Sequence, residues 1–389
     1  MTKSKMDPDF ALKIPKIELH LHLDGSLSPE FIFEEAKKQN LELPIQDPKD
    51  LRRYLQEQKR SAIYKNANKV GQGQNWSIFD FCNQFLQTFE QLELATLDLL
   101  NRLAEFNVTY AEVRFCPALH TKEKLTSDQA VQAVLSGFRR QNRVEGGVII
   151  CALRSKDSQH ALDMADLAGK YLQIHKNDSI GVVGFDVAGD EGSFPLKSVP
   201  DSMTKGVVRA QELKVPVTLH AGEWPEKFGS LDNVKFAIDE LKVQRIGHGI
   251  TLRSDLEYLK KLKNSNVTIE VCLTGNIGYG FKVKSYEDHP VKLFHQFGVP
   301  FSFSMDNWLL SGDLDNQPNP DHELIKATEI IGLAGNVYFC FKKNFSDCSY
   351  KGVKEALKHG ANAAFSPIVD DDWKRKFSQM LDDAFANKS

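Results

Sequence analysis

The sequence predicts an α/β fold, a (β/α)8 TIM-type barrel with extra helices inserted after strand 1 and at the C-terminus. Short runs rich in β-branched residues recur eight times, and stretches with apolar residues three and four apart lie between most of them. Such alternation is typical of a parallel sheet whose strands are joined by crossover helices. Eight strands fit a closed barrel, whose core needs about 250 residues, better than an open sheet.

The predicted strands extend from near the N-terminus to about residue 304. They are Ile17–Leu23, Tyr110–Phe115, Gly147–Leu153, Val182–Val187, Pro216–His220, Arg245–His248, Val267–Cys272 and Pro300–Ser304. The helices predicted between them include Ser127–Arg140, Ser158–Ile174, Met203–Leu213, Leu231–Leu241 and Ser254–Leu262. Because no linker interrupts this order, we expect one barrel domain over residues 1–389.

Two segments exceed what a minimal barrel requires. The segment of about 29–107 has predicted helices around Phe31–Gln39, Leu51–Gln58 and Phe79–Leu100, and the segment of about 320–387 has them near His322–Leu333, Tyr350–His359 and Asp371–Ala386. The first segment follows strand 1, so it would overhang the C-terminal face of the barrel and could form a lid. Within it, Gly71–Gln74 resembles a phosphate loop only superficially, and we expect a flexible turn there.

Composition excludes several classes of partner. The chain is 41% hydrophobic and 26% charged, as in ordinary globular proteins, and 49 Lys and Arg against 52 Asp and Glu leave a net charge of −3. This balance predicts a small-molecule partner, with no nucleic acid and no membrane. The six cysteines contain no Cys-x-x-Cys pair, and no secretory signal or long apolar run is present, which predicts a cytoplasmic location. The oligomeric state stays open, with a monomer among the alternatives.

The first strand carries a row of polar side chains. Alternate residues of a strand share a face, so His20, His22 and Asp24 lie opposite Leu19 and Leu21. Two imidazoles about 6.6 Å apart along a strand can converge on one ion. The two histidines could instead be hydrogen-bonded core residues or part of an exposed face. If both are buried they need partners, because burying each without one would cost roughly 1–3 kcal/mol.

Other predicted strands also end in polar groups, where a barrel of this type places its catalytic residues. The nitrogen and oxygen donors among them that suit one zinc ion are His20, His22, His220 and Asp306. Bound zinc could lower the pKa of a water to about 7. His248 could then orient or deprotonate that water, and Glu223 could donate or accept a proton. Each has a structural alternative, because His248 could be a loop histidine and Asp306 could cap a helix.

Seven motifs together resemble one family. They are HLHLDGS at 20–26, AEVRFCP at 111–117, AGDE at 188–191, HAGE at 220–223, IGHG at 246–249, HPVKLFHQFGVPFSFSMD at 289–306 and NAAF at 362–365. Their order and their spread over most of the chain are similar to those of the adenosine and AMP deaminase group of the metal-dependent hydrolase superfamily. The resemblance implies an enzyme that hydrolyses the C–N bond at carbon 6 of a purine.

The resemblance also implies a role for individual residues. His20, His22, His220 and Asp306 would hold one Zn²⁺ per chain. Asp24 would meet the ribose 5′-hydroxyl, and the backbone of Gly189 would contact the purine ring. Glu223 would protonate ring nitrogen 1 and His248 would help generate hydroxide, so that Glu223, His248 and Asp306 form the catalytic group. A two-metal relative would need a lysine late in the fourth strand, which this chain lacks.

The chain departs from the family pattern at Asn307 and Trp308, where the family has Asp-Pro. An Asn amide can donate to purine nitrogen 7 without holding a proton, so we expect Asn307 to bind substrate without acting as acid or base. The loop Cys272–Asn276 departs as well. Pocket contacts decide which purine is accepted, so the substrate is less determined than the reaction. The Asp24 carboxylate would repel a 5′-phosphate.

The sequence therefore predicts a zinc-dependent hydrolase of purine metabolism and salvage. Its expected reaction converts adenosine or 2′-deoxyadenosine to inosine or 2′-deoxyinosine plus ammonia. One alternative is a deaminase of another aminopurine or an aminopterin-like substrate. Another is a catalytically silent relative that binds nucleosides, although a binding protein would not need Glu223 and His248.

Overall fold

The computed structural model describes residues 6–66, 77–172, 180–196, 200–225, 230–278, 282–334 and 345–386. The turn predicted at Gly71–Gln74 and the last residues of the helix predicted at Ser158–Ile174 lie outside these ranges. Among the described residues, every helix is too short or too polar to cross a bilayer.

Eight short parallel strands form the centre of the fold. They are β1 (Lys16–His22), β2 (Val108–Phe115), β3 (Glu145–Leu153), β4 (Val182–Ala188), β5 (Thr218–Ala221), β6 (Arg245–His248), β7 (Thr268–Val271) and β8 (Phe301–Phe303). Continuous ladders join β1 to β4 and β5 to β8, each strand beside its neighbour in sequence. All eight predicted strands are confirmed to within a few residues.

Backbone hydrogen bonds close the two ladders into a barrel. Between β8 and β1, the Asp306 amide donates to the His20 carbonyl at 2.9 Å, and the His22 amide donates to the Asp306 carbonyl at 2.8 Å. Between β4 and β5, the Phe185 amide donates to the Pro216 carbonyl at 2.9 Å. The predicted (β/α)8 barrel is therefore confirmed, and its closure places Asp306 beside the two histidines of β1.

Helices connect the strands, and additional helices lie between β1 and β2 and after β8. The α-helices are Pro8–Lys13, Pro29–Lys38, Pro48–Asn66, Ser77–Asn83, Phe89–Glu105, Ser127–Arg139, Ser158–Lys170, Pro200–Glu212, Ser230–Asp239, Leu256–Leu262, Leu273–Ile277, Val291–Phe297, Pro320–Ala334, Phe345–Ala363 and Asp371–Ala386, and 3₁₀ turns cover Pro117–His120 and Ile250–Ser254. The helix predicted at Phe79–Leu100 is two helices. Thr88 and Gln91 form a capping box at the start of the second, which explains the break.

The segment after β1 reaches the C-terminal end of the barrel. From helix Pro48–Asn66, the Gln56 amide donates to the Leu310 carbonyl at 3.0 Å. Lys59 Nζ donates to the Leu310 and Gly312 carbonyls, each at 3.0 Å. These bonds tie the helix to the loop that follows β8. The helix therefore lies at the C-terminal face of the barrel, as predicted.

Candidate active site and metal centre

Three imidazoles and a carboxylate converge inside the C-terminal end of the barrel. His20 and His22 come from β1, His220 from β5 and Asp306 from the residues after β8. Their ligand atoms all lie within 4.8 Å of one another. His20 and His220 are buried, as is Asp306, and His22 is partly buried. The structure therefore brings together the four residues predicted as metal ligands.

The spacing of these atoms fits a tetrahedral ion. Ligand atoms at 2.0–2.1 Å from such an ion lie roughly 3.3 Å apart. Here the His22 and His220 Nε2 atoms are 3.1 Å apart. Asp306 Oδ1 lies 3.5 Å from the Nε2 atoms of both His20 and His22. Among the described residues, buried His20 Nε2 has no hydrogen-bond partner. Nitrogen and oxygen donors in this arrangement suit zinc.

Two buried acids fix the orientation of the histidines. His20 Nδ1 lies 2.6 Å from Glu270 Oε2 on β7, and His220 Nδ1 lies 2.9 Å from Asp186 Oδ2 on β4. An ionised carboxylate can only accept a hydrogen bond, so His20 carries its proton on Nδ1, and the Asp186 carboxylate beside His220 Nδ1 favours the same tautomer there. The lone pair of Nε2 is then directed at the metal position, an arrangement that also increases ligand basicity.

Arg114 joins these two acids across the barrel. Its guanidinium lies 2.8 Å from Asp186 and 2.9 Å from Glu270, and all three side chains are fully buried. Burial alone would raise the pKa of both acids. For Asp186, His220 and Arg114 outweigh burial and hold the pKa well below its usual range. Arg114 and Arg245 do the same for Glu270. Both acids therefore remain ionised beside the histidines.

A second arginine extends this buried network away from the histidines. Arg245 lies 2.7 Å from Glu270 and 2.6 Å from Glu112. The Tyr110 hydroxyl donates to Glu112 at 2.7 Å. The sequence predicts no role for Asp186 or Glu270. The usable signal was a single acidic residue within each of two otherwise apolar strands, since a buried charge requires a partner.

Glu223 is held by the turn that follows β5. The backbone amides of Gly222 and Glu223 each donate to the Glu191 carboxylate at 2.9 Å, and Asn233 donates to the same carboxylate at 2.9 Å. Gly222 has φ +71°, a conformation that favours glycine. Glu191, in the AGDE motif, thus fixes the HAGE turn and orients the Glu223 side chain. The sequence predicts no such role for Glu191.

Glu223 and His248 face each other beside the four ligands. His248 Nε2 lies 3.6 Å from Glu223 Oε1, and the two residues form with Asp306 a second group of converging donors. Lys282 forms an ion pair with the same Glu223 oxygen. Burial favours the protonated acid, but the charges of His248, when protonated, and of Lys282 lower the pKa of Glu223 to about 2. Burial lowers the pKa of His248 to about 3.

Two of these residues have a strained backbone. His248 has φ 70° and Asp306 has φ 66°, values that side chains other than glycine rarely adopt. Such strain costs of order 1–3 kcal/mol and persists only where surrounding contacts impose it. For Asp306 those contacts are the backbone bonds to β1 described above. The two alternatives considered from sequence, a free loop histidine and a helix cap, do not describe these buried residues.

The predicted substrate-binding residues Asp24, Gly189 and Asn307 follow β1, β4 and β8. Asp24 is buried, and burial raises its pKa to about 6. Among the described residues its Oδ1 atom has no hydrogen-bond partner, and neither does Asn307 Oδ1. Gly189 has φ +108°, and a Cβ there would be in ordinary contact with the Arg154 amide at 3.7 Å.

Asn307 and Trp308 occupy different environments. Asn307 Nδ2 lies 3.5 Å from Ser311 Oγ, which in turn donates to Asp306 at 3.2 Å. A Cβ at position 25 would lie 1.7 Å from Asn307 Oδ1, so Gly25 makes room for this side chain. Trp308 instead packs beneath the site, with Phe106 against its ring at 5.6 Å. The second departure from the family pattern is thus a packing residue.

Comparison with known proteins identifies the family of the chain. The family model described as adenosine deaminase matches residues 15–325. An adenosine deaminase of Clostridium botulinum is 33% identical over 356 residues, covering 90% of this chain and 98% of that protein. An adenosine deaminase of Enterococcus faecalis is 33% identical over 383 residues, covering 98% of this chain and 99% of that protein.

Solved structures share the fold at lower identity. Arabidopsis ADAL, crystallised with IMP, has a TM-score of 0.73 at 19% identity and covers 98% of this chain and 100% of its own. The adenine deaminase of Arthrobacter aurescens has a TM-score of 0.71 at 22% identity and covers 96% of this chain and 99% of its own. These likenesses agree with the barrel described above.

Proposed function

The chain belongs to the adenosine deaminase family, and we propose that it deaminates adenosine or 2′-deoxyadenosine to inosine or 2′-deoxyinosine plus ammonia. This family consists of zinc-dependent hydrolases, so the chain is an enzyme and its cofactor is zinc. The observation that carries the proposal is that two clusters of possible ligand atoms share Asp306. They are His20, His22, His220 and Asp306, and Glu223, His248 and Asp306. One group suits the metal, and the other adds Glu223 and His248 for proton transfer.

His20, His22, His220 and Asp306 would hold the zinc. The ion supplies a Lewis acid that makes water nucleophilic at neutral pH. Asp186 and Glu270 keep the lone pairs of His220 and His20 directed at it. Because Lys282 keeps Glu223 ionised, this carboxylate can accept a proton from water and deliver it to ring nitrogen 1. Protonation of that nitrogen makes carbon 6 more electrophilic. The oxygen added at carbon 6 then gives its second proton to the amino group, which leaves as ammonia while a carbonyl forms at carbon 6.

The substrate would be oriented by residues on three loops. The Asp24 carboxyl would bind the 5′-hydroxyl, and the backbone of Gly189 would contact the purine ring. The amide of Asn307 would donate to purine nitrogen 7. Helix Pro48–Asn66, tied to the loop after β8, would cover one side of the pocket.

Asp24 is the residue that favours a nucleoside over a nucleotide. It is buried, and no cation is among the causes that shift its pKa. A 5′-phosphate placed against it would meet a carboxyl that is ionised above pH of about 6. A free base such as adenine would leave this buried acid without a partner. Both are therefore weaker candidates than adenosine.

A substrate panel tests the proposal. Purified protein with measured zinc content is offered adenosine, 2′-deoxyadenosine, adenine, AMP and an aminopterin, and the loss of absorbance is checked against ammonia release. We expect turnover of the two nucleosides with about one zinc per chain. Turnover of only adenine, AMP or the pterin would contradict the proposed substrate while retaining the reaction. No turnover of any compound by zinc-loaded protein would contradict the proposed reaction.

A further inference from the structure

A chain of hydrogen bonds approaches His248 from the side away from the metal ligands. The Val291 amide donates to His289 Nδ1 at 3.1 Å. His289 Nε2 lies 3.1 Å from Asn276 Oδ1, and Asn276 Nδ2 lies 3.0 Å from His248 Nδ1. The side chains of all three polar residues are buried, so water does not compete for these bonds.

The backbone amide at Val291 gives this chain a direction. A backbone N–H can only donate, so the His289 Nδ1 atom must present its lone pair. Burial lowers the pKa of His289 to about 3, which keeps its ring neutral and places its proton on Nε2. That proton is donated to the Asn276 carbonyl oxygen. The amide nitrogen of Asn276 therefore faces His248 Nδ1 and donates to it.

We propose that Asn276 and His289 are positioning residues that hold neutral His248 as the tautomer with its proton on Nε2. The inference rests on the proposed function of the same site. Nε2 is the ring nitrogen that faces Glu223 Oε1, at 3.6 Å. In this tautomer His248 is a hydrogen-bond donor to the attacking oxygen. It orients that oxygen and does not remove its proton.

A proton on His248 Nδ1 would leave one pair of opposed N–H groups in the chain, whichever way the chain rearranged. The new N–H would point at the Asn276 amide group, which also carries protons. Rotating that amide by 180° would direct its NH₂ at the proton on His289 Nε2. Moving that proton to Nδ1 would in turn oppose the Val291 amide. A buried donor without an acceptor is costly, so the chain favours the neutral ring with its proton on Nε2.

The proton balance then falls to Glu223. Water gives up one proton as its oxygen bonds to carbon 6, and the ring nitrogen gains one. With His248 fixed as a donor, the Glu223 carboxylate is the neighbouring group that can receive the first proton and supply the second. Of the two roles that the sequence leaves open for His248, the tautomer supports orienting the water over deprotonating it.

Nitrogen NMR of the zinc-loaded, full-length protein tests the tautomer directly. Long-range ¹H–¹⁵N spectra of protein labelled in its histidine rings distinguish a protonated ring nitrogen from an unprotonated one, and His248→Gln identifies the His248 signals. We expect a proton on Nε2 and none on Nδ1. A proton on Nδ1, or on both nitrogens at neutral pH, would overturn the inference. This readout requires no substrate, so failure of adenosine turnover would leave it intact.

Near-isosteric variants test the positioning roles. In Asn276→Asp, the new carboxylate accepts from both rings, so the His248 proton should move to Nδ1 and kcat should fall about 10²–10⁴-fold with little change in KM. His289→Gln retains a donor toward Asn276 and should keep the tautomer and more of kcat than His289→Leu does. His295→Gln, on helix Val291–Phe297, controls for loss of a nearby histidine. If the Asn276→Asp protein is folded and zinc-loaded but His248 still carries its proton on Nε2, the proposal is contradicted.

Discussion

Lys282 forms a buried ion pair with Glu223 although the two residues are 59 positions apart in sequence. Their side chains are 10% and 8% exposed, so water screens the pair only weakly. The lysine comes after helix Leu273–Ile277 in sequence, beyond the segment Cys272–Asn276 that departs from the family pattern. Its charge stabilises the carboxylate form of Glu223, the form that can accept a proton from water.

The ion pair predicts how acid affects activity. Since Lys282 lowers the pKa of Glu223, removing its charge in Lys282→Met should raise that pKa. The catalytic carboxylate is then lost as pH falls through the raised value. The acidic limb of kcat/KM should move upward by about 1–3 pH units, the usual effect of one nearby charge. Rates with adenosine between about pH 3 and 9 measure the shift, since a limb raised from about 2 then falls within the range.

Two controls isolate this effect. Lys282→Arg keeps the positive charge and should leave the acidic limb close to its original position. Zinc content measured at each pH separates protonation of Glu223 from loss of the metal. If Lys282→Met shows the same limb as the unaltered protein, Glu223 is not the group whose ionisation governs activity.

Glu223→Gln tests proton transfer itself. The amide is nearly isosteric but can neither accept nor release a proton at neutral pH, so kcat should fall about 10²–10⁴-fold. Zinc content should remain unchanged because the four proposed ligands are intact. Stopped-time assays of ammonia release and metal analysis of the same sample provide both values. A variant with nearly full kcat would exclude Glu223 from the reaction.

The barrel could be predicted from sequence because its strands are local patterns. Runs such as Val182–Ala188 are short and apolar, and each ends in polar residues near the pocket. Period-two alternation likewise placed His20 and His22 on one face. Asp306 could be grouped with them because it follows the eighth predicted strand, at the end of the barrel where catalytic residues lie.

The support of the site could not be predicted in this way. The Arg114 contacts to Asp186 and Glu270 join three different strands, and strand patterns do not specify which charges meet inside a barrel. The break before Phe89 depends on side-chain bonds at Thr88. The Lys282 ion pair joins two residues that are 59 positions apart in sequence. These features arise from tertiary contacts, for which propensity and periodicity give no signal.

The buried acids predict a selective effect on metal binding. Asp186→Asn replaces a carboxylate that contacts both His220 and Arg114. Zinc affinity should fall about 10–100-fold, because the orientation and basicity of His220 are weakened. Leaving Arg114 with one fewer buried partner should also lower the free energy of unfolding by about 3–5 kcal/mol. Competition with a chelator and denaturant titration measure the two effects.

Glu112→Gln is the matched control for this variant. It disrupts the other end of the network, where Glu112 contacts Arg245 and Tyr110 but no proposed metal ligand. A comparable loss of stability with unchanged zinc affinity is expected. Equal losses of zinc affinity in both variants would show that Asp186 acts only through the stability of the barrel.

Asn307→Asp tests the departure from the family pattern. The Asn amide can donate to nitrogen 7 at any pH, whereas an Asp at this buried position beside Asp306 can donate only while protonated. The KM for adenosine should therefore become pH-dependent in the variant. Above the pKa of the new acid it should rise about tenfold, equivalent to 1.4 kcal/mol for a lost buried hydrogen bond. In 7-deazaadenosine a C–H replaces the acceptor, so its KM should respond much less to this loss of a donor. If the adenosine KM of the variant has the same pH dependence as that of the unaltered protein, Asn307 does not contact nitrogen 7. Its amide then serves only the bond to Ser311.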